Sequence, residues 1–378
     1  AVAVGGPGAV FWMWLIALIG SASSFVESTL AQIYKTKDKD SFRGGPAYYM
    51  EKGLGKRWLG IIFSILITIS FGFVFNAVQA NTVSVAFNNA FGLSREAIGI
   101  ILVIVTALVI FGGIHRVAKV SEIIVPILAV LYILIAIIVL ILNITEIPSV
   151  FKLIFESAFG IKQLTAGGLG AAVMQGIKRG LFSNESGLGS APLVAAAAKT
   201  KNPVRQALIS STGTFWDTVV VCLITGVTLV TTIMKNPDIN MSSIQNGGQM
   251  TTAAFSQIPV LGSIILVFGI ITFAYTTVLG WSYYGERCAE YLFGKRATIF
   301  FKIIFVFVIL LGPVIELDIV WSLSDIFNAL MAIPNIIFSF YGMNVAGLPF
   351  PQWWFPTGLA IVACIIATII FIKKDMFH

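Results

Sequence analysis

Long runs of apolar residues, separated by short polar connections, recur along almost the whole chain. An α-helix needs about 20 such residues to cross the hydrocarbon core of a bilayer, so the pattern predicts about ten membrane-spanning helices. The predicted spans cover residues 9–34, 59–87, 98–113, 123–142, 207–234, 263–284, 299–315, a run that ends near 341, and 357–372, with one interrupted span at 165–192.

The interrupted span, residues 165–192, has an unusual composition for a membrane helix. It reads TAGGLGAAVMQGIKRGLFSNESGLGSAP and contains seven glycines and the polar run SNES. Irregular backbone at membrane depth is tolerated only where it packs in protein or lines a watery cavity. The segment therefore predicts a broken helix beside a binding site, with the break at Gly176, where unpaired N–H groups would attract a carboxylate. Helix packing is the competing explanation for Gly176 and the preferred one for Gly167, Gly168 and Gly170.

Polar side chains also interrupt other spans. A carboxylate at membrane depth is costly, so Glu27 should face protein or water, and we expect a structural or gating contact rather than a substrate ligand. Asn76, Gln79 and Thr82 share one helix face because they repeat every three residues. That face is either a hydrogen-bonded seam with another helix or a wall of a binding site.

Thr276 and Thr277 place two hydroxyl groups midway along an apolar span. Together with backbone carbonyls of an unwound helix, they would supply neutral oxygen ligands for a weakly bound sodium ion. Alternatively, each hydroxyl bonds back to a carbonyl of its own helix, as is common for membrane Thr. We expect Lys178, Arg179 and Glu185 to form an inner gate or a solvated helix end rather than to act as site charges.

The composition agrees with a membrane protein. Hydrophobic residues make up 57% of the chain, charged residues 11%, and the mean hydropathy is +0.94, whereas a soluble domain is about 25% charged. The net charge of +7 comes from Lys and Arg in the short connections. These residues mark cytoplasmic connections, such as 35–57 and 199–205, and form no stripe suited to nucleic acid.

The residue types argue against an enzyme. Three scattered cysteines and two histidines provide neither a disulfide framework nor a metal site. An intramembrane hydrolase would need Ser190 as nucleophile and His115 as base, on different spans, although an activated serine requires its base within hydrogen-bond reach. A passive channel for small solutes remains as an alternative, since a broken helix alone does not exclude it.

Six motifs resemble the alanine or glycine:cation symporter family of bacteria and archaea, and the resemblance covers nearly all of residues 5–340. They are GGPGAVFWMW, GGPAYYMEKGLGKRWLG, FGFVFNAVQANT, RGLFSNESGLGSAP, TTVLGWSYYGER and MAIPN. The resemblance implies an all-α polytopic membrane protein: a LeuT-type bundle of five-plus-five inverted repeats with discontinuous helices. We expect one transport domain over 1–378. The resemblance implies the end of a truncated first core helix (1–8), the rest of the first repeat (9–142) and the second repeat (165–341), and the hydrophobic pattern adds an extra C-terminal helix (357–372).

The same resemblance implies a function and a site. The function is sodium-coupled import of alanine or glycine across the plasma membrane by alternating access, with sodium co-transported and no nucleic-acid partner. Ala172, Gln175 and Gly176 fall where the sixth core helix of the family unwinds around its substrate, and Trp281 resembles a lid. The implied substrate contacts are Gln79, Ala172, Gln175, Gly176 and Trp281, and the implied cation ligands are Thr276 and Thr277.

The C-terminal tail departs from the family pattern. If the spans alternate in direction, the connection 342–356 should be cytoplasmic, yet it carries no Lys or Arg. Either this connection is partly re-entrant or one tail helix does not cross. The sequence leaves this topology and the oligomeric state open.

Overall fold

Helices account for most of the chain in the computed structural model, which describes residues 1–38, 41–160, 168–235, 251, 254–255, 261–315 and 317–345. The helices are α1 Val2–Gly5, α2 Ala9–Ile33, α3 Pro46–Leu54, α4 Arg57–Ile69, α5 Phe75–Phe91, α6 Arg95–Ile110, α7 Ile114–Leu142, α8 Ile147–Ala158, α9 Gly168–Asn184, α10 Ala191–Ala195, α11 Pro203–Thr214, α12 Cys222–Lys235, α13 Leu261–Phe293, α14 Ala297–Leu311 and α15 Leu317–Val345.

Local sequence signals explain several helix ends. The Ser94 side chain accepts a hydrogen bond from the Ala97 N–H at the start of α6, and Asn202 caps α11 in the same way ahead of Pro203. Gly92 ends α5 in a left-handed conformation with φ 68°, which glycine adopts without strain.

Two of the long helical rods contain a π-helical segment. Ser70–Val74 joins α4 to α5, and Phe215–Val221 joins α11 to α12. A π segment widens the backbone locally and is often found at functional sites. Nothing in the hydrophobic pattern of these spans predicts it.

Seven helices in the described part of the chain are long and apolar enough to cross a membrane: Ala9–Ile33, Arg57–Asn89, Arg116–Leu142, Pro203–Lys235, Leu266–Phe293, Ala297–Val314 and Ile319–Ser339. This is fewer than the number predicted from sequence. The difference includes α6 and α9, which have 16 and 17 residues and fall short of a full crossing length. Large apolar side chains such as Leu134, Phe300 and Phe307 are exposed on the outer face, as lipid contact requires.

A small β-hairpin departs from the all-α prediction. Strands β1 Thr36–Asp38 and β2 Ser41–Arg43 pair antiparallel in the connection between α2 and α3. The hairpin is tied to the end of α13, because Lys295 Nζ lies 2.6 Å from Asp38 Oδ1 and Arg43 bonds Glu290 at 2.9 Å.

Some sequence predictions need correction and others fall outside the described residues. The predicted start of the span 123–142 is wrong, since α7 already begins at Ile114 and runs to Leu142. The first residues of the interrupted span, 165–167, lie outside the described residues. So do most of the connection 235–262 and the tail from 346 onward, including the predicted helix at 357–372.

Candidate functional site

The interrupted span does break, but not where the sequence predicts. Helix α9 is continuous from Gly168 to Asn184 and includes Ala172, Gln175 and Gly176, so the predicted unwinding at these three residues is wrong. The backbone leaves the helix at Glu185, and α10 begins at Ala191. We call residues 185–190 the break loop. Its geometry needs left-handed residues, with φ 54° at Glu185, 83° at Gly187 and 81° at Gly189.

The glycines of α9 instead allow close packing. A Cβ atom at Gly176 would overlap Trp12 and lie 2.6 Å from the Ala9 carbonyl oxygen, and one at Gly180 would lie 2.5 Å from Ile16. Helix α9 therefore meets α2 almost backbone to backbone, as small residues four apart permit. The preference for packing at Gly170 is wrong, because a Cβ there meets only open space.

Glu27 of α2 fixes the break loop. Its side chain is 0% exposed, and Oε1 accepts a hydrogen bond of 2.9 Å from Asn335 Nδ2. The Gly187 backbone lies against this carboxylate, and Oε2 has no hydrogen-bond partner among the described residues. Asn335 also donates to the Gly187 carbonyl at 3.1 Å. The Tyr49 hydroxyl donates to Asn335 Oδ1 at 2.5 Å and so orients the amide. The predicted structural contact of Glu27 is thus confirmed.

Helix α2 also holds the segment after the break loop. Gln32 Nε2 donates to the carbonyls of Ala195 and Ala198, and Lys35 Nζ reaches the Ala198 carbonyl at 3.1 Å. These bonds satisfy backbone acceptors at the end of α10 that have no helical partner. One face of α2 therefore positions residues 185–198 as a unit.

Glu185, at the start of the break loop, links this unit to α13. Its Oε2 accepts from Ser190 Oγ at 2.5 Å, and its Oε1 accepts from Trp281 Nε1 at 2.6 Å. The Tyr284 hydroxyl also lies beside this carboxyl. The solvated position expected for Glu185 is therefore wrong.

Trp281 is only 5% exposed and belongs to an aromatic cluster beside the break loop. Its ring lies 5.5 Å from Phe71, in the first π segment, and 5.4 Å from Phe75, with an edge contact to Phe182 at 6.1 Å. The aromatic cluster consists of Phe71, Phe75, Phe182, Trp281, Tyr284 and Trp321. It joins α5, α9, α13, α15 and the first π segment at one point.

A buried ion pair lies one turn after Gln175. Lys178 Nζ is 3.0 Å from Asp325 Oδ2, and these side chains are 5% and 7% exposed. Arg179 bonds Asp325 at 3.2 Å and lies over the Trp321 ring at 4.4 Å. A solvated helix end is thus the wrong interpretation of Lys178. The sequence signal that could have found this pair is one acid and one base inside separate apolar spans.

The predicted cation ligands lie on the unbroken helix α13. Thr276 Oγ1 donates to the Thr272 carbonyl at 2.9 Å, and Thr277 Oγ1 donates to the Phe273 carbonyl at 2.8 Å. Both hydroxyl hydrogens therefore bond to carbonyls of their own helix, which is the alternative that the sequence left open. Their oxygen lone pairs remain chemically able to bind a cation, but extra carbonyl ligands would have to come from another element.

Asn76, on the polar face of α5, forms the hydrogen-bonded seam that the sequence left open. Its Nδ2 donates to the Phe305 carbonyl of α14 at 2.9 Å. Gln79 lies one turn beyond Phe75 on α5 and is partly exposed, and α5 packs on α13. Gln79, Trp281 and the two threonines thus lie on neighbouring helices, whereas Gln175 and Gly176 contact Gly5 of α1 and residues of α2.

A helix broken within a bundle of membrane-crossing helices, with buried charges around the break, is typical of secondary transporters. Residues 1–346 match the family model described as the sodium:alanine symporter family. The chain belongs to this family, which confirms the resemblance, and it is a multi-pass membrane transporter rather than an enzyme.

Individual relatives agree with this assignment. The chain is 50% identical over 340 residues to the probable sodium/glutamine symporter GlnT of Bacillus subtilis (strain 168), an alignment that covers 89% of this chain and 70% of the relative. It is 45% identical over 343 residues to the sodium/alanine symporter AgcS of Methanococcus maripaludis, covering 89% and 75%.

A solved structure shows the same fold at low identity. The crystal structure of an Eremococcus coleocola manganese transporter mutant superimposes with a TM-score of 0.65 at 12% identity, and covers 99% of this chain and 87% of that chain. At this identity the likeness concerns the fold alone.

Proposed function

We propose that the protein is a sodium-coupled symporter that imports alanine or glycine across the plasma membrane by alternating access. The family and the names of its members support an amino acid as substrate and sodium as the coupled ion. The observation that carries the proposal is the break loop, irregular backbone that α2 and α13 hold inside a helical membrane bundle.

We further propose that the bundle is of the LeuT type, with five-plus-five inverted repeats at 9–142 and 165–341. Its support is the likeness to a transporter fold over nearly the whole chain, together with a discontinuous helix at the start of the second repeat. Discontinuous helices at corresponding places are the usual binding elements of such repeats.

The proposed binding region has two parts, one where α5 packs on α13 and one where α9 packs on α1 and α2. The proposed substrate contacts are Gln79, Ala172, Gln175, Gly176 and Trp281, and the proposed sodium ligands are Thr276 and Thr277. The aromatic cluster limits the space beside Trp281, which favours a substrate with a small side chain. At Gly176, the close packing of α9 against α2 would leave only a thin layer of protein between the proposed pocket and α2.

Reconstitution in proteoliposomes tests the function. With an inward sodium gradient, labelled alanine should accumulate above its outside concentration, and unlabelled glycine should compete. Potassium in place of sodium should abolish the accumulation. Alanine flux that only equilibrates, whatever the sodium gradient, would identify a passive channel instead. Stronger competition by glutamine than by glycine would identify glutamine as the substrate in place of alanine or glycine.

A further inference from the structure

Two carboxyl groups at the break loop have only neutral partners. Glu27 and Glu185 accept hydrogen bonds from amides, hydroxyls and an indole. Within the described ranges, neither forms an ion pair with a Lys, Arg or His side chain. A carboxylate inside a bundle without a counter-charge is costly, and binding a proton removes that cost.

The partners of the two groups differ in kind. Glu27 accepts from the Asn335 amide N–H, which can only donate, and its Oε2 has no hydrogen-bond partner among the described residues. These surroundings offer no acceptor to a protonated Glu27. Glu185 accepts from the Ser190 hydroxyl and has the Tyr284 hydroxyl beside it, and both hydroxyls can either donate or accept. Glu185 therefore has partners for both of its protonation states.

The charged groups around Glu185 also favour a proton there. Asp217, in the second π segment, acts on it as a like charge, and Asp217 is itself held by Ser183 at 2.6 Å. From α2, Glu27 reaches the same loop at Gly187. From α13, Trp281 and the tyrosines contribute neutral groups. The two nearby cations of α9, Lys178 and Arg179, are directed to Asp325 on α15.

Access to water depends on α13. Ser190 is fully buried and Trp281 nearly so, but Glu185 itself is partly exposed. The Trp281 indole, which donates to the carboxyl, and the Tyr284 hydroxyl approach it from the α13 side. Separation of α13 from the break loop would expose the group to water, where a carboxylate is ionised at neutral pH.

We propose that Glu185 is a proton-binding site of this transporter. It holds a proton while α13 closes over the break loop, and it releases the proton when the two separate. The coupling of this proton to amino-acid uptake rests on the proposed function, whereas proton binding by Glu185 does not.

The proton transfer is balanced without any further reactant. On closure, a proton from water adds to Oε2 of the Glu185 carboxylate, and the new O–H donates to Ser190 Oγ, whose hydroxyl hydrogen rotates away. Oε1 continues to accept from the Trp281 indole N–H. On opening, Oε2 returns the proton to water.

Infrared spectroscopy of the purified protein tests the site directly. The wild type should show the carbonyl stretch of a protonated carboxylic acid near neutral pH, and Glu185→Gln should lack it. Glu96→Gln, which changes an exposed carboxyl in the first turn of α6, should retain it. The proposal is overturned if Glu185→Gln keeps the full wild-type band, or if the band disappears in Glu27→Gln instead.

A second variant covers the case in which Glu185→Gln does not fold. Tyr284→Phe removes one hydroxyl that stabilises the carboxylate, so the band should persist to a pH higher by on the order of 1 unit. Titration of the band at an unchanged pH would contradict the proposal.

Uptake measurements connect the site to transport. If closure requires the protonated carboxyl, sodium-driven alanine uptake by the wild type should fall several-fold as the internal pH rises over about pH 6 to 9, and uptake by Glu185→Gln should change less than about twofold. A band that titrates, without any alanine uptake, would support the proton site and contradict the proposed function. Alanine uptake without a Glu185-dependent band would support the proposed function and contradict the proton site.

Discussion

At Gly176, a hydrogen atom in place of a side chain determines how closely two helices approach. The Ala9 carbonyl lies 2.6 Å from the place where a Cβ atom would be, and Trp12 is closer still. Backbone on the opposing helix cannot move aside as a flexible side chain can. The packing of α9 on α2 therefore depends on this position whether or not Gly176 also contacts substrate.

Gly176→Ala should destabilise the protein by about 1–3 kcal/mol, the usual cost of overpacking a well-packed contact. Gly170→Ala is the matched control, because it lies on the same helix and its Cβ meets open space. It should be neutral or slightly stabilising, since alanine is the better helix former. Thermal unfolding in detergent measures both, and equal melting temperatures for the two variants would disprove the packing role.

The hydroxyls of Thr276 and Thr277 define a second test at single residues. Thr276→Val or Thr277→Val keeps the shape of the side chain and removes one oxygen, so the sodium concentration for half-maximal uptake should rise about tenfold, equivalent to about 1.4 kcal/mol. The control is Thr272→Val, one turn earlier on the same helix, where the hydroxyl also bonds back to its helix. An unchanged sodium dependence in both test variants would place the cation elsewhere.

From residue chemistry one can predict that some side chains need a protein contact, but not which residue provides it. The rarity of carboxylates in apolar spans indicated that Glu27 needs a protein contact. Its partner Asn335 is 308 positions away along the chain, and nothing local to either residue connects them. Lys178 and Asp325 are a similar case, because each looks like an isolated charge until the fold brings α9 and α15 together.

Among the elements, α9 shows why a break can be predicted without its position. Its glycines indicate both close packing and departure from a helix, and composition alone does not distinguish these uses. The four-residue step from Gly176 to Gly180 belongs to packing, and the two-residue step from Gly187 to Gly189 belongs to the break loop. The π segments and the β-hairpin were missed because neither interrupts the hydrophobic period.

The ion pair between α9 and α15 is an element-level contact with a large expected cost of removal. Asp325→Asn would remove the buried carboxylate that Lys178 and Arg179 share. Breaking a buried pair in this way typically costs about 3–5 kcal/mol. Thermal or denaturant unfolding should show this loss, and a decrease below about 1 kcal/mol would mean that the pair is not buried in the folded protein.

Asp38→Asn is the matched control. It breaks the ion pair between Asp38 of the hairpin and Lys295, which is more accessible than the pair of Asp325. Removing its bond to Lys295 should cost at most about 1 kcal/mol. The hydrogen bond from Lys295 holds the pKa of Asp38 below its ordinary value. The contribution of Asp38 to stability is therefore present at neutral pH and is lost as the pH falls through that lowered pKa.

For the whole molecule, the spans were the most predictable feature, because a bilayer demands long apolar helices whatever they pack against. Basic connections predict the orientation, with Lys199, Lys201 and Arg205 on the cytoplasmic side. The way the helices pack together was not predictable, since lipid-facing and partner-facing apolar surfaces use the same residues.

Cysteine labelling checks this orientation. In right-side-out vesicles, a membrane-impermeant thiol reagent should label Leu93→Cys, in the exposed turn between α5 and α6. Lys201→Cys should be labelled only after the vesicles are opened. The unsubstituted chain, with Cys222, Cys288 and Cys364, provides the background. Labelling of Lys201→Cys in intact vesicles, with Leu93→Cys protected, would invert the topology.

The glycine contact between α2 and α9 has a consequence for how the protein can move. Two helices that touch through main-chain atoms cannot slide or tilt independently without collision, so they must travel as one rigid body. The opposite side of α9 meets its neighbours through edge contacts between rings, which can separate and form again at little cost. Any passage toward the cytoplasm should therefore form along the plane between Phe182 and Trp281, and a small molecule wedged into that plane would arrest the transporter.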